Sequence, residues 1–430
     1  MVTPPRASTH GAEQRGVVGP PLLPEVGVVA LVQERFDSTW MSRHQVLVRL
    51  ARWFHVVWMN PALEWRQVLR DRPWRGEQVR PPRSGGLVAL DPPPWLPIFY
   101  TPLWLGRATE AARLRRARKE LFGRGADRIA LHTWRPKFRP ALDRIDYDSC
   151  IYHIIDDYSY SDTRLPMPVN ERELIELADA VIVHSPGLLE RKGGINPRTY
   201  QIPNGVDFST AEAKQSEPLD LKGVPRPRIG YCGWLKKQLD WDLLQSLAER
   251  HPDWSFVFVG AITPFHAELP EVLERLDRLP NVHLLGAKQS HELLQYPGHF
   301  DVCMMPYRMT AYTNCIYPLK LHEYLATGTP IVGTPIRTLR DFEQTVALAE
   351  GVDAWSEQIR RILEQRPEDE EVVSRRVDLA RAHDWDAITL RVARVIAGSL
   401  GPEVSERFDS IAAQTSSAAP SGIHAPRESP

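Results

Sequence analysis

Short apolar runs alternate along the chain with longer stretches in which apolar residues recur every three or four positions. Runs of this length suit strands that are buried on both faces, and the longer stretches suit helices. Strands separated by helices predict a parallel, doubly wound sheet, and the pattern restarts halfway along the chain. The predicted strands are residues 26–32, 55–59, 87–90, 128–131, 151–155, 180–184, 228–232, 255–259, 282–285, 301–305, 330–332 and 346–349.

Polar segments divide this pattern into regions. The two ends are rich in Pro, Gly, Ser and Ala, which is typical of disordered tails. A turn at Asn204-Gly205 precedes a polar linker, and Ile388 and Val392 mark a last amphipathic helix. The predicted regions are a tail (1–24), a first domain (25–208), a linker (209–227), a second domain (228–385), a last helix (386–400) and a second tail (401–430).

Composition narrows the class of protein. A chain of 430 residues exceeds one ordinary core, which agrees with two domains. The net charge of −1 argues against a nucleic-acid partner. The four cysteines lack metal-binding spacing, and no apolar run reaches the roughly 18 residues of a membrane span. We therefore expect reduced thiols in a cytoplasmic protein.

The most informative segment is residues 301–334, which predicts strand, loop, helix and strand in that order. Pro306 ends the strand, Pro318 stands where a first helical turn tolerates proline, and Gly328 stands where helices end in a left-handed residue. Glu323 is then in the middle of the helix among apolar neighbours. Such a carboxylate suits the two hydroxyls of a ribose in a cleft, and the alternative is a surface glutamate.

This segment resembles the nucleotide-sugar half of retaining GT-B glycosyltransferases of the GT4-like class. The resemblance rests on Glu323, Ala326, Gly328, Pro330, Ile331 and Val332. Residues 318–324 resemble the subgroup that includes teichuronic-acid-type surface polysaccharide glycosyltransferases. The resemblance covers about residues 25–400. It implies two Rossmann-like domains that face each other across a cleft, with the last helix crossing back to the first domain.

Two positions depart from the family pattern. Most members carry a second glutamate eight residues before the ribose-binding one, where this chain has Cys315. An arginine usually follows the glycine at the end of the first strand of the second domain, where this chain has Trp234 after Gly233. Lys236, Lys237 and Lys320 are therefore the candidate cations for a diphosphate, and the pattern does not choose among them.

The predicted donor site combines these lysines with glycines at strand ends, where the missing side chain lets a phosphate or base approach. We expect the helix after Gly233 to offer free N–H groups to the phosphates. Each glycine on its own is also compatible with an ordinary turn, and Lys288 with a solvated loop charge. The predicted donor-binding residues are Gly233, Lys236, Lys237, Gly260, Lys288, Tyr307, Lys320, Leu321 and Glu323.

Two polar residues at strand ends of the first domain are the predicted catalytic residues. His132 follows one strand, and the family often has a histidine at such a position; the alternative is a histidine within the core. Asp157 follows the next strand and suits contact with sugar hydroxyls; the alternative is a turn or helix-capping aspartate. Asp146 and Asp148 match the metal-binding Asp-x-Asp of GT-A transferases, but we interpret them as a turn and predict no metal.

Residues 91–128 combine prolines and aromatic residues with a basic helix. Tryptophan with arginine is typical of a membrane interface, and the alternative is a solvated basic helix behind a proline-rich loop. The family resemblance favours the membrane, because acceptors in polysaccharide synthesis are frequently lipid-linked. The protein would then dock on the inner face of the cell membrane.

The resemblance implies transfer of a sugar from a nucleoside diphosphate sugar to a hydroxyl of a glycan or glycolipid, with no cofactor. A two-domain oxidoreductase is a rival, but no Gly-x-Gly-x-x-Gly follows any predicted strand. The second rival is a non-catalytic GT-B-like protein that binds nucleotide or glycan. Cys315 and Trp234 give that rival its support.

Overall fold

The computed structural model describes residues 19–71, 83–213, 216–262 and 269–417. Each half of the chain folds around its own sheet, with helices on both faces. All twelve predicted strands are present, and their ends lie within two residues of the predicted ones. The prediction of two doubly wound α/β domains is therefore confirmed.

The sheet of the first domain has eight strands in the order β3-β4-β2-β1-β5-β6-β7-β8. Its strands are parallel except β3, which pairs antiparallel with β4. The strands are β1 (Val26–Leu31), β2 (His55–Met59), β3 (Arg83–Ser84), β4 (Leu87–Leu90), β5 (Arg128–Thr133), β6 (Ser149–Ile154), β7 (Ala180–Val183) and β8 (Thr199–Gln201).

The sheet of the second domain has six parallel strands in the order β11-β10-β9-β12-β13-β14. The order reverses beside β9, and ligands of such sheets bind outside the carboxyl ends of the strands at this point. The strands are β9 (Arg228–Cys232), β10 (Ser255–Val259), β11 (Val282–Leu284), β12 (Val302–Met305), β13 (Ile331–Gly333) and β14 (Val346–Leu348).

The helices connect these strands. In the first domain they are α1 (Ser42–Leu50), α2 (Trp65–Asp71), α3 (Leu103–Phe122), α4 (Val169–Leu177) and α5 (Pro186–Lys192). Those that follow are α6 (Phe208–Glu212), α7 (Trp241–Arg250), α8 (Leu269–Asp277), α9 (Ser290–Leu293), α10 (Lys320–Ala326), α11 (Arg337–Arg340), α12 (Gly351–Glu364), α13 (Glu370–Arg381), α14 (Trp385–Ser399) and α15 (Pro402–Ser417). No helix in the described ranges is long and apolar enough to cross a membrane.

The last two helices both pack on the first domain. Helix α14 lies against α1, β6 and β7, and buries Ile388 and Val392 there. The prediction of a disordered tail from residue 401 is wrong for α15, because Phe408 is fully buried beside Trp53 and Phe54. The prediction failed because the apolar residues of this segment are few and widely spaced within a polar sequence.

The first predicted tail and the predicted linker also differ in part from the prediction. Residues 1–18 and 418–430 lie outside the described residues. Leu23 was also predicted to be disordered, but its side chain is fully buried and its N–H donates to the Trp53 carbonyl at 2.8 Å. In the linker, Leu221 and Val224 are buried in the core of the second domain, so this part of the linker is fixed to that domain.

The packing of α15 generates a stability prediction. Phe408→Ala should lower the free energy of unfolding by about 3 kcal/mol, because it removes a fully buried ring and leaves a cavity. The exposed neighbour Glu406→Ala is the matched control and should change it by less than about 0.5 kcal/mol. Urea unfolding followed by tryptophan fluorescence gives both values. Equal stability of the two variants would show that α15 is not packed on the first domain in solution.

Candidate functional site

Two glycines form the floor of a site at the carboxyl edge of the second sheet. Gly233 follows β9 with φ of +133°, and Gly260 follows β10 with φ of +151°. A Cβ on Gly260 would lie 2.0 Å from the Gly233 carbonyl oxygen, so only glycine fits there. The two strand ends therefore approach each other closely and leave open space above them.

The loop after Gly233 carries Lys236 over this floor. The Asp240 N–H donates to the Pro306 carbonyl at 2.8 Å, and the Arg308 N–H donates to the Gln238 carbonyl at 2.9 Å. These bonds fix the loop to the end of β12. The expected free helix N-terminus after Gly233 is wrong, because α7 begins only at Trp241 and is capped by the Asp240 carboxylate.

Lys320, in the first turn of α10, reaches the same place from the other side. Its Nζ donates to the Tyr307 hydroxyl at 3.1 Å and lies 4.9 Å from the centroid of the Tyr231 ring. A Cβ on Gly233 would lie 3.2 Å from the Lys320 Cε. Two buried tyrosines and a glycine thus hold the ammonium group at the floor of the site.

The two ammonium groups repel each other. Burial, and then the charge of Lys320, lower the pKa of Lys236 to about 8, while Asp156 of the first domain opposes the shift. Neither lysine has a carboxylate within ion-pair distance in the part of the chain that the structure describes. A pair of partly buried cations, neither of which forms an ion pair with a described residue, suits an anion with more than one negative charge.

Glu323 lies one helical turn after Lys320 and is half-buried. Burial raises the pKa of its carboxyl, and the charge of Lys320 partly offsets this rise. No hydrogen bond from Glu323 to another described residue is present, so its oxygens are available to a ligand. Leu321 is different: its side chain is fully buried in the core and its N–H donates to the Pro318 carbonyl.

Across the cleft, Asp156 takes the position that the sequence analysis assigned to its neighbour Asp157. Asp157 is buried inside the first domain, where it pairs with Arg191 and, at 3.7 Å, with Lys192. The side chain that faces the second domain is Asp156. Burial raises its pKa to about 6, against the opposing effects of the Tyr312 hydroxyl and the charges of Arg135 and Lys236. The predicted role of Asp157 is therefore corrected to an ion pair within the core.

His132 has no exposed surface and lies inside the first domain. Its ring centroid is 4.8 Å from that of Trp134 and 5.5 Å from that of His153. Burial lowers its pKa to about 3, so the imidazole is neutral at physiological pH. The structure does not bring this ring to the cleft wall, and the alternative interpretation as a core histidine fits better.

Three further predicted polar residues are engaged elsewhere. Lys237 lies 3.8 Å from Asp162 and so bridges the two domains, and Lys288 pairs with Asp220 at 2.7 Å beyond the edge strand β11. Asp148 accepts from the Ile129 N–H at 2.7 Å and supports the start of β5, as a turn residue should. Among the residues described, no cluster of His, Cys, Asp or Glu could hold a metal ion.

Cys315 belongs to the domain interface. Its thiol is buried against the core of the first domain, and its carbonyl accepts from the Ser185 hydroxyl at 2.6 Å. Asn204 donates to the Tyr317 carbonyl at 2.8 Å close by. Burial, and then the charge of Asp157, raise the pKa of the thiol, while Arg191 and Lys192 oppose this rise.

Two Rossmann-type domains with a cationic floor in the cleft between them define a GT-B fold. The fold neighbours agree. Sucrose-phosphate synthase from Thermosynechococcus elongatus superimposes with a TM-score of 0.65 at 17% identity, over 86% of this chain and 98% of that one. Anabaena Alr3699/HepE, solved in complex with UDP and glucose, gives a TM-score of 0.60 at 14% identity, over 86% and 99% of the two chains.

Sequence comparison identifies the second domain more closely. Residues 226–365 match the family described as Glycosyl transferases group 1. A Bacillus subtilis (strain 168) protein that carries the name teichuronic acid biosynthesis glycosyltransferase TuaH is 28% identical over 204 residues. The match spans 46% of this chain and half the length of that relative.

The exchange between the two aspartates generates a second prediction. Asp157→Asn should lower the free energy of unfolding by about 3 kcal/mol, because Arg191 and Lys192 lose a buried charged partner. Asp156→Asn is the matched change one residue away. It should cost less than about 1 kcal/mol, because burial already disfavours the charge of this carboxyl. Chemical denaturation measures both values. A larger loss of stability from Asp156→Asn than from Asp157→Asn would show that Asp157, and not Asp156, faces the cleft.

Proposed function

We propose that this protein transfers a sugar from a nucleoside diphosphate sugar to a hydroxyl of a glycan or glycolipid acceptor. The observation that carries the proposal is the pair formed by Lys236 and Lys320 at the switch point of the second sheet, where neither ammonium group has an ion-pair partner among the residues described. The match of residues 226–365 to the family described as Glycosyl transferases group 1 supports it. The name of the Bacillus subtilis relative supports a role in making a cell-surface polysaccharide.

The donor would lie across the floor made by the two glycines. Its diphosphate would take hydrogen bonds from both ammonium groups, and the absence of side chains at Gly233 and Gly260 gives the phosphates room. Glu323, one turn further along α10, would accept hydrogen bonds from the two ribose hydroxyls. The transferred sugar would then point across the cleft toward the first domain.

The chemistry follows from where negative charge develops. Breaking the bond between sugar and diphosphate leaves charge on the departing phosphate oxygens, and cations fixed beside them stabilise that charge. Above its pKa of about 6, Asp156 is ionised and can accept a hydrogen bond from a sugar or acceptor hydroxyl. We infer retention of configuration from the family resemblance, in which the departing diphosphate takes the acceptor proton.

Two lysines can neutralise a diphosphate without a metal ion. We therefore propose a metal-independent reaction, in which Lys236 and Lys320 take the part that a bound cation plays in GT-A enzymes. Transfer should persist in the presence of EDTA. Loss of transfer in EDTA that manganese restores would contradict this proposal.

A binding experiment tests the donor site. A panel of nucleoside diphosphates is screened by thermal shift, since a ligand of the folded state raises the melting temperature, and the best one is titrated by calorimetry. Glu323→Gln should weaken binding by about 1.5–3 kcal/mol, because it removes a charged acceptor. Affinity for the wild type should fall as pH rises through about 8, where Lys236 loses its proton.

Lys236→Met and Lys288→Met provide a matched comparison in this experiment. The first should weaken binding and abolish the decrease near pH 8, whereas the second should change neither, because Lys288 is paired with Asp220. Equal affinity of Lys236→Met and wild type would contradict the proposed site. Tight nucleotide binding with no transfer or hydrolysis of any sugar nucleotide would favour the non-catalytic alternative.

We also propose that residues 95–119 dock the first domain on an anionic membrane. Four large apolar side chains are exposed where the proline-rich loop enters α3: Trp95, Tyr100, Leu103 and Trp104. Nearby, a surface cleft of about 770 Å³ is lined by Arg107, Arg115, Arg118 and Arg144, with Asp143 and Asp146. Arg113, in the same helix, donates to the carbonyls of Leu96 and Pro97, and so holds the loop against the helix.

Vesicle co-sedimentation tests this docking. Arginines near a membrane contribute about 1 kcal/mol each, and this contribution weakens with salt. Arg115→Ser with Arg116→Ser, both exposed, should reduce binding to anionic vesicles at low salt by about tenfold or more. Arg172→Ser with Arg198→Ser, exposed elsewhere on the domain, is the matched control. Equal partitioning of both variants, or none by the wild type, would identify α3 as an ordinary solvated helix.

A further inference from the structure

The first domain contains a buried arginine whose hydrogen bonds are incomplete. Arg43, the second residue of α1, is 1% exposed. Its Nη2 lies 2.5 Å from Glu34 Oε1 and 3.3 Å from the Met41 sulfur. Its Nε and Nη1 are buried and have no hydrogen-bond partner among the residues described. Unpaired N–H groups on a buried charge are costly, so a ligand that accepts from them would be bound strongly.

A second arginine shares the same carboxylate. Arg135 Nη2 lies 3.9 Å from Glu34 Oε1, and its Nε is also buried without a partner in the described part of the chain. Its guanidinium packs on the Tyr158 ring, 4.9 Å from the centroid, and its Nη1 donates to the Tyr160 hydroxyl. Two guanidiniums therefore face one carboxylate. Three of their donor nitrogens, Arg43 Nε, Arg43 Nη1 and Arg135 Nε, have no hydrogen-bond partner among the residues described.

Arg135 lies close to the second domain. Its Nη1 donates to the Tyr160 hydroxyl, and the centroid of the Tyr160 ring is 6.1 Å from that of Tyr312 in the loop between β12 and α10. The charge of Arg135 also acts to lower the pKa of Asp156, and the charge of Asp156 acts to raise that of Lys236. The arginine cluster is therefore on the side of the first domain that faces the proposed donor site.

We propose that Arg43 and Arg135 bind an anionic group, a phosphate or a carboxylate, of the acceptor. This proposal rests on the proposed transfer function and adds the chemical class of the second substrate. The planar guanidinium forms two parallel hydrogen bonds to such a group, which matches the unused nitrogens. The oxygens of a neutral sugar are weaker acceptors for guanidinium N–H groups than the oxygens of an anion, so the site should distinguish acidic from neutral acceptors.

Calorimetric titration of the full chain with small probes tests this site without donor or transfer. Glucose 6-phosphate, glucuronate and glucose present a phosphate, a carboxylate and no charge on similar rings. The background protein carries Lys236→Met and Lys320→Met, so that an anion held by the lysine pair does not contribute. At least one of the two anions should bind about tenfold or more tightly than glucose, and the two together identify which oxyanion the site prefers.

Arg135→Gln in the same background is the decisive variant, because this residue is only half-buried and the change replaces the guanidinium with a shorter, uncharged amide. It should weaken anion binding about tenfold or more. Arg139→Gln, four residues further along and paired with Glu173 at 2.9 Å, is the matched control and should not. Anion binding that survives Arg135→Gln, or affinity for glucose equal to that for both anions, would overturn the proposal.

Nucleotide binding separates this proposal from the donor site. Nucleotide is titrated into chains that keep both lysines. If Arg135→Gln made in the wild-type chain binds the same nucleoside diphosphate as tightly as wild type, while Arg135→Gln made in the Lys236→Met, Lys320→Met background loses the anionic probe, both sites stand. If neither binds nucleotide but the anion result holds, the transfer function fails and the anion site remains.

Discussion

Two ammonium groups that occupy one partly buried space are the constraint on which the second domain's architecture depends. Lys236 and Lys320 repel each other, and in the described part of the chain Lys320 contacts the Tyr307 hydroxyl and two tyrosine rings rather than a carboxylate. The left-handed glycines at the ends of β9 and β10 clear the space above them. The bonds that fix the 234–240 loop to the end of β12 keep the two charges together. A site built in this way is most stable when an anion fills it.

The domain interface places that site opposite a second polar wall. The loop between β12 and α10 contacts the first domain through the Cys315 and Tyr317 carbonyls, which accept from Ser185 and Asn204. Salt bridges such as Arg337 with Glu190 at 2.5 Å lie at its exposed rim and add little stability. Helices α14 and α15 then tie the end of the chain to the first domain through apolar packing. Buried contacts thus set the domain arrangement, and the polar groups are left to face the cleft.

The sequence predicted correctly those features for which hydrophobic periodicity or backbone geometry allows only one interpretation. Strand positions followed from apolar runs, while the half-exposed strand β8, Thr199–Gln201, has no such run and was missed. The glycines, Lys236, Lys320 and Glu323 meet because parallel strands end at one edge of a sheet. Which of two adjacent aspartates faces the cleft depends on the turn after β6, and the pairing of Lys288 with Asp220 joins residues far apart in the chain. The sequence around Arg43 gives no sign of a binding site, because the residues that surround Arg43 are brought together only by the fold.

A crystal structure with a bound nucleoside diphosphate would test the central claim most directly. The lysine pair should hold the diphosphate, with phosphate oxygens about 2.7–2.9 Å from both Lys236 Nζ and Lys320 Nζ, and with Glu323 on the ribose. A diphosphate bound elsewhere in the cleft, with the two ammonium groups still unpaired, would contradict it.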